Sequence, residues 1–531
     1  MSEHQELAGL IWSIAGALRG SFKTSEYGSV ILPFTVLRRL DCLQRADDRT
    51  ALDGRLALEL GDRTTSIFSL AHEASDPAVP VGGPDLSGLV LAVIHGLPAD
   101  LARLLELLDL DSTIPRLEHA GLLRQVIDGF GALDLGPSAV TVSQMGQVFE
   151  GLVRLLMETF GGEPAGEHYS PPDVTGLMAS LLLSPDREAP SRAAPEVQIY
   201  DPACGMGGLF SAFESYLRNS PNPAIMQASG QEINAQACSI TRSLLLMKGA
   251  DPGAIAFGDS LSHNQHAGAT FDYLAAVPPF GAGWKSAQAD VTHEADTLGF
   301  AGRFGAGLPR VNDGSFLFLQ HMIAHMKPVE DGGSRIAVIF SASPLFSGAA
   351  GSGESEIRRW ILQNDLLEGV IALPDRLFPH TGIPTYLWLL SNRKGPANKG
   401  KVIVLNARAH CSTLRKPFGS KRQYISDDQI VEITRLYAQA ADGFSDAETA
   451  DNGAPRLLPI EYFGYQRIVI DRPLRLRFAV TDAAIAQLEE TRVLESSQEG
   501  GTLLPVLRSL SGETQGHFKM TPRSHRHSMQ S

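Results

Sequence analysis

Apolar residues return at helical spacing through the first third of the chain. Leu7, Leu10, Ile11, Ile14, Ala17 and Leu18 recur on one helical face, and Ile31, Leu32, Phe34, Leu37, Leu40 and Leu43 do the same over 29–43. The stretch that opens at Leu101 and the one over 142–160 repeat the pattern. No strand and no internal repeat stands out before residue 165, so residues 1–165 are expected to form an all-α domain that docks a partner. From residue 166 the pattern changes. Short apolar runs at 197–200, 228–231, 254–257, 273–276, 335–340, 367–372 and 385–391 read as strands, and 208–217, 235–247, 315–325 and 355–362 read as helices among them. That alternation predicts an α/β fold with a doubly wound, mostly parallel seven-stranded sheet over 166–410. The segment 281–311, rich in Gly, Ala and charge, reads as a long loop of the kind that covers a site. A further short strand is expected at 401–405, and residues 411–531 form a mixed C-terminal region. It has a helix at 426–441, an edge strand at 468–470, a helix at 481–494 and a polar tail at 521–531 that is expected to be disordered. Apolar periodicity fades after Leu510, which suggests a truncated end.

Two short segments carry the chemistry. Asp201-Pro202-Ala203-Cys204-Gly205-Met206-Gly207-Gly208 follows the first strand and precedes a helix. Its glycines allow a tight turn and a close backbone approach to a ligand, and the helix behind it offers free N–H groups. A dinucleotide site would use G-x-G-x-x-G to hold a pyrophosphate. Here the spacing is G-x-G-G, and the carboxylate of Asp201 would repel a phosphate and suit an amino group. The second strand closes on Glu232, placed to accept from ribose hydroxyls, and the third on Asp259, placed to accept from an adenine amino group. Each acid alone is as readily a helix cap. Acids closing three consecutive strands fit S-adenosylmethionine better than NAD.

The second segment is Phe271-Asp272-Tyr273-Leu274-Ala275-Ala276-Val277-Pro278-Pro279-Phe280-Gly281. A strand ending in Pro-Pro-Phe offers main-chain carbonyls and an aromatic face, which suits a flat base such as adenine. Val277 stands where that chemistry wants a polar side chain.

Composition narrows the setting. No run approaches the ~20 apolar residues of a membrane helix, and the N-terminus lacks a signal peptide's basic start and apolar stretch, so a cytoplasmic location is expected. The four cysteines, Cys42, Cys204, Cys238 and Cys411, are not at metal-ligand spacing, and no metal site is expected. The formal net charge of −14 is at odds with a protein that grips nucleic acid by itself. Either the substrate is no polyanion, or a basic face is local, or a partner supplies the grip.

The ordered segments resemble the modification (methyltransferase) subunit of type I restriction-modification systems, a family of N6-adenine DNA methyltransferases. Gly166-Glu167-His168-Tyr169-Ser170-Pro171-Pro172 is similar to that family's G-E-F/Y-Y-T-P-R segment. Asp201 to Gly208 is similar to its D-P-A-C-G-T-G-G loop, with Met206 for Thr, and Phe271 to Gly281 to its F-D-Y-x-L/A-A-N-P-P-F-G strand, with Val277 for Asn. Leu373 to Phe378 and Thr381 to Thr385 are similar to a stretch peculiar to the family, and Phe463-Gly464-Tyr465 and Arg472-Pro473-Leu474-Arg475 to its C-terminal part.

The resemblance implies a methyltransferase fold and methyl transfer from S-adenosylmethionine to N6 of adenine in DNA. Cofactor contacts would come from Glu167, His168, Tyr169, Ser170, Asp201, Ala203, Gly205, Gly207, Gly208, Glu232 and Asp259. Val277, Pro278, Pro279 and Phe280 would receive the base. It implies DNA, a specificity subunit, a restriction subunit and a second copy of the chain as partners. The alternative is a catalytically impaired cofactor-binding assembly subunit, because valine cannot accept the hydrogen bond from N6 that the motif's asparagine accepts.

Other residues carry less. Arg38, Arg39, Lys285 and Arg303 could meet phosphates, although such residues are more often solvated. Trp284 could stack on bases but more often such a Trp packs its loop, and the pair His321 and His325, without a third ligand nearby, is expected to pack or to lie at the surface.

Overall fold

The computed structural model describes residues 3–44, 66–69, 86–160, 170–187, 195–442, 454–464, 475–479, 481–490, 500–509 and 515–519. Packing divides the chain into two units, Met1–Gly464 and Tyr465–Ser531. The expected 468–470 strand and the tail at 521–531 lie outside the described residues. In the second unit a two-stranded antiparallel ribbon, Arg475–Ala479 with Gln515–Lys519, accompanies the helices Asp482–Glu490 and Gly500–Ser509.

The first unit opens with helices, among them Glu3–Ser13, Gly28–Gln44 and Val142–Phe160. Their apolar faces close one core around Ile11, Phe34, Phe130 and Phe149. That core also takes in Ala237, Ile240, Leu244 and Met247, so the helix Ala235–Met247 of the following domain is part of its floor. Arg38 and Arg39 do not reach for phosphates. The Nε of Arg38 donates to the Leu133 carbonyl at 2.7 Å, and Arg39 is buried with its guanidinium on the Leu135 and Val140 carbonyls. They cap backbone acceptors where the chain turns toward Val142.

The sheet has nine strands rather than seven. These are β1 Glu196–Asp201, β2 Ile225–Glu232, β3 Ile255–Phe257, β4 Tyr273–Ala276, β5 Arg335–Ser341, β6 Leu367–Ala372, β7 Thr385–Ser391, β8 Lys401–Asn406 and, after the hairpin β9 Ser412–Phe418 and β10 Lys421–Tyr424, β11 Arg456–Pro459. The spatial order is β11-β8-β6-β7-β5-β4-β1-β2-β3. β7 runs antiparallel to β5 and β6, and β11 antiparallel to β8, while the other pairs are parallel. The two strands beyond seven, β8 over the short strand expected at 401–405 and β11, extend the far edge, and the described residues 411–442 and 454–464 therefore pack with the sheet domain.

Both faces of the sheet are covered, one by Leu177, Phe213 and Tyr437, the other by Phe316, Met322 and Ile361. Burial on both faces is why β5 reads as an unbroken apolar run instead of an alternation. The chain steps outward from β1 to β3 and returns to β4 on the other side of β1. The crevice at the carboxyl ends of β1 and β4 is therefore the topological switch point, where open α/β sheets take their ligands. No helix among the described residues is long and apolar enough to cross a membrane.

Candidate functional site

The loop at the end of β1 is held from below. Gly205 and Gly207 adopt left-handed backbone, φ 53° and 80°. A Cβ on Gly207 would lie 3.1 Å from both Leu244 and Thr241, so strain and crowding together require glycine there. The helix Gly208–Asn219 starts immediately afterwards. Thr241 Oγ1 donates to the Gly205 carbonyl at 2.6 Å, and Glu232 Oε2 accepts from the Gly205 N–H at 2.8 Å. The other oxygen of Glu232 accepts from the Asn234 N–H at 2.8 Å. Glu232 thus shapes the loop, a role its position at the strand end did not reveal.

Asp201 is the last residue of β1 and is 1% exposed. Its Oδ1 accepts from the Ala203 N–H at 2.9 Å, while its buried Oδ2 has no partner among the described residues. Burial pushes its carboxyl well above the usual carboxylate range. The Ala203 N–H pulls the other way, and the negative Glu232 nearby adds to the rise. An orphaned buried oxygen with a raised pKa is an incomplete site, and a cationic donor would complete it. Cys204, beside it, is buried and its thiol is pushed far up by burial, so it fills space and is no nucleophile.

Ser170 lies against the same loop, since a Cβ on Gly208 would be 3.4 Å from its carbonyl. Glu167, His168 and Tyr169 lie outside the described residues. Asp259 follows β3 and accepts from the Leu261 N–H at 2.9 Å, as in an Asx turn.

Val277, Pro278, Pro279 and Phe280 leave β4 at the same edge of the sheet. Tyr200 of β1 pairs with Leu274 of β4, so Asp201 and the Pro-Pro-Phe turn emerge side by side. Val277 and Phe280 are half-buried against the apolar cluster that contains Leu373, Leu377 and Phe378. The Phe280 ring meets Phe378 edge-on at 5.1 Å. His380 lies over its face at 5.9 Å with the planes 25° apart. Phe378 and His380 belong to the turn after β6, and only the likeness of 373–378 to a family segment hinted at them.

The segment 281–311 is a folded module and not a loop. It contains the helix Gln288–Leu298, and its Trp284, Val291 and Phe304 form a small core with Leu261 and Leu317 outside it. Only Val291 and Ala295 of that helix face the core, while Leu298 is exposed, too thin a signal to read. Its neck is closed by Trp284 N–H on the Val311 carbonyl and Gly314 N–H on the Ala282 carbonyl, both 2.9 Å.

Arg303 ties the module to the cofactor side. It donates to the Ser260 carbonyl at 2.6 Å and the Leu261 carbonyl at 2.9 Å, pairs with Glu294 at 2.6 Å, and donates to His321 Nδ1 at 3.0 Å. With Nδ1 accepting, the proton of His321 is assigned to Nε2, which faces the Tyr200 hydroxyl at 2.8 Å. Burial, with His325 and Arg303 beside it, holds His321 neutral, and burial likewise lowers His325. The two histidines pack under the sheet, as expected, and no metal-binding cluster occurs among the described residues.

The sequence and fold have close parallels. A family model described as N-6 DNA Methylase matches residues 141–452, and one described as HsdM N-terminal domain matches residues 7–75. The type I restriction enzyme MjaIX methylase subunit of Methanocaldococcus jannaschii is 25% identical over 501 residues, covering 86% of this chain and 84% of its own. A type I restriction-modification methyltransferase subunit from Streptococcus thermophilus superposes with a TM-score of 0.66 at 20% identity, covering 86% of this chain and 96% of its own. A chain from a type I R-M system solved in a study of complex assembly gives a TM-score of 0.56 at 19% identity, covering 96% of this chain and all of its own.

Proposed function

The chain belongs to the N-6 DNA methylase family, and from that premise we propose that it is the modification subunit of a type I restriction-modification complex. It transfers a methyl group from S-adenosylmethionine to N6 of an adenine in DNA. The observation that carries the reading is the buried, unpartnered Oδ2 of Asp201 in a glycine loop at the switch point, one strand from Pro-Pro-Phe. S-adenosylmethionine supplies a methyl group on a sulfonium, the electrophile that a weakly nucleophilic exocyclic amine needs.

Asp201 receives the cationic amino group of the cofactor, and the N–H groups opening Gly208–Asn219 accommodate its carboxylate. Ser170, Ala203, Gly205, Gly207 and Gly208 line the amino-acid end, with Glu167, His168 and Tyr169 ahead of them. Glu232 takes the ribose hydroxyls with the lone pairs left over from the loop. Asp259 takes the adenine amino group. On the substrate side the base leaves the duplex, since N6 is buried in the stack. Phe280 stacks on it in place of His380, and the Pro278 carbonyl accepts from N6. Catalysis is positioning and polarisation, with no covalent intermediate on the protein. Val277 withholds the second acceptor and limits the rate.

The helical region 1–165 docks partners, DNA sequence being read by a specificity subunit, with a second copy of this chain and a restriction subunit completing a cytoplasmic complex. Transfer of tritiated methyl to duplex DNA by the chain together with its specificity subunit tests this. Label on adenine N6 is expected, and label on protein or small molecules only would overturn it.

Arg303 acts through the 259–261 turn. Arg303→Ala removes two donors to that turn, each worth about 0.5–1.5 kcal/mol. It is expected to weaken cofactor binding roughly tenfold while leaving the rate at saturating cofactor within about twofold. Arg303→Lys recovers part of the loss. A fall in saturated rate with unchanged affinity would refute the assignment.

A further inference from the structure

Ten of the chain's 45 Lys and Arg, and none of its 59 Asp and Glu, fall within residues 376–426. The rest of this acidic chain therefore repels a polyanion more strongly than the net charge of −14 conveys. Three of the ten are consumed internally: Arg393 pairs with Asp186, Lys394 with Asp365 and Lys421 with Asp173. Arg376, Arg408, Arg415 and Lys416 are exposed, and none has an acidic partner among the described residues.

The topology gathers these four at one place. β4, β6 and β8 run in the same direction, so Arg376 after β6 and Arg408 after β8 stand at the sheet edge from which Phe280 emerges. Arg408 rests on the hydroxyl of Tyr386, 2.8 Å away, at the opening of antiparallel β7. Arg415 and Lys416 lie on β9. That hairpin hangs from the turn after β6 through the Arg422 N–H on the Arg376 carbonyl, 3.0 Å, and the Ser420 N–H on the Pro379 carbonyl, 2.5 Å. The same turn sets Phe378 and His380 on Phe280. At the same turn of the hairpin, Phe418, paired with Lys421, packs against the cluster that joins the helical core to Met206. The hairpin is thus fixed at its turn beside the base-receiving segment, and Arg415 and Lys416 of its first strand are exposed to solvent.

We propose that Arg376, Arg408 and the Arg415–Lys416 strand form the track for the DNA phosphate backbone beside the base that enters at Phe280. The proposal rests on the methyltransferase reading and says where an acidic chain takes hold of its polyanionic substrate. A base drawn out of a duplex brings its flanking phosphates to the mouth of the pocket, and duplex DNA carries a charge every ~1.7 Å of its axis. Unpaired guanidinium and ammonium groups at that mouth are what such a backbone requires. Exposed basic residues scattered over a surface are ordinary, whereas four without an acidic ion-pair partner among the described residues, in a run bounded by Asp375 and Asp427 at the base-receiving edge of an acidic chain, are not.

The test measures binding of a short fluorescent duplex to the full-length chain across a salt series, with wild type, R415A/K416A and the charge-preserving R415K/K416R. Each lost phosphate contact lowers the slope of log affinity against log salt by about 0.9. The alanine pair is expected to lower it by about 1.8, R415K/K416R to keep it, and S-adenosylmethionine binding to stay unchanged in all three. An unchanged slope in R415A/K416A overturns the track. A wild-type chain that ignores duplex at low salt but binds S-adenosylmethionine also overturns the track, and leaves the methyltransferase reading standing. Loss of cofactor binding in wild type would sink that reading instead. Displacement of the duplex by polyglutamate as readily as by unlabelled duplex assigns the surface to an acidic polypeptide and likewise overturns the proposal. R408A, on a separate strand end, gives an independent reading should the double variant melt early.

Discussion

Replacing Val277 with asparagine raises the single-turnover rate of methyl transfer by roughly 10²-fold. The Pro278 carbonyl is one acceptor for an adenine N6, but one acceptor leaves the amino group free to turn about that bond. A second, supplied by the side-chain amide of the variant, fixes the nitrogen lone pair on a single line. Removing one placed group of this kind from an enzyme typically costs about 10²–10³ in rate, and restoring it should recover a comparable factor. Val277 packs half-buried against the cluster of Leu373, Leu377 and Phe378, so the amide exchanges an apolar contact for a polar group at a cost of about 1–3 kcal/mol until a substrate is bound. V277N should therefore melt a few degrees lower and bind S-adenosylmethionine as wild type does. Val277→Ala, which provides no acceptor, should not gain rate. Equal single-turnover rates for wild type and V277N would remove Val277 from the account and point to an acceptor elsewhere.

Asp201→Asn abolishes tight cofactor binding and does not destabilise the free protein. The carboxyl is buried, its Oδ2 is unpartnered, and its pKa is raised by burial. A charge-assisted hydrogen bond to the cofactor is worth about 1.5–3 kcal/mol, so binding should fall by roughly 10- to 150-fold. The sign of the pH dependence follows from the raised pKa. Protons are bound more readily by folded than by unfolded Asp201. Its contribution to stability is fully present below the ordinary carboxylate value and is lost as pH rises through the raised one. In the free protein Asp201→Asn removes that loss, so the variant should match or exceed the wild-type melting temperature at neutral pH. Cofactor affinity moves the opposite way. It should rise with pH as Asp201 ionises, and calorimetry in buffers of different ionisation enthalpy should detect a proton released on binding. A melting temperature that drops steeply in Asp201→Asn, with affinity preserved, would make Asp201 a structural residue instead.

Glu294 provides a contrast in sign. Its burial raises the carboxyl, but the hydrogen bonds and charge of Arg303 outweigh this and hold it below the usual range. Its share of stability is present above the unfolded value and is lost as pH falls through the lowered one. Acid should therefore loosen the 281–311 module, while the same acid relieves Asp201.

Much of this was legible in the chain. Period and composition gave the helical region, eight of the nine strands and the order of the site segments, because a strand buried on both faces and an amphipathic helix leave unmistakable patterns. Asp201, the glycines and Pro-Pro-Phe were readable because a tight loop and a strand end need those residue types whatever surrounds them. The helix Gln288–Leu298 was not readable, since Val291 and Ala295 met by Phe304 and Leu317 suffice to seat it. The role of Arg303 was hidden for a similar reason. Its partners, Ser260, Leu261, Glu294 and His321, are drawn from separate places in the chain, and no local rule joins them. The acid-free run at 376–426 was present in the sequence, but its meaning was not. Charge acts through space, and only the parallel alignment of β4, β6 and β8 brings Arg376 and Arg408 to the edge where Phe280 emerges. The sequence alone determined the family and the order of its segments, because those depend on neighbours along the chain. The fold decided which carboxylate is left unpartnered, which ring covers Phe280 and where the positive charge collects, because those depend on neighbours across it.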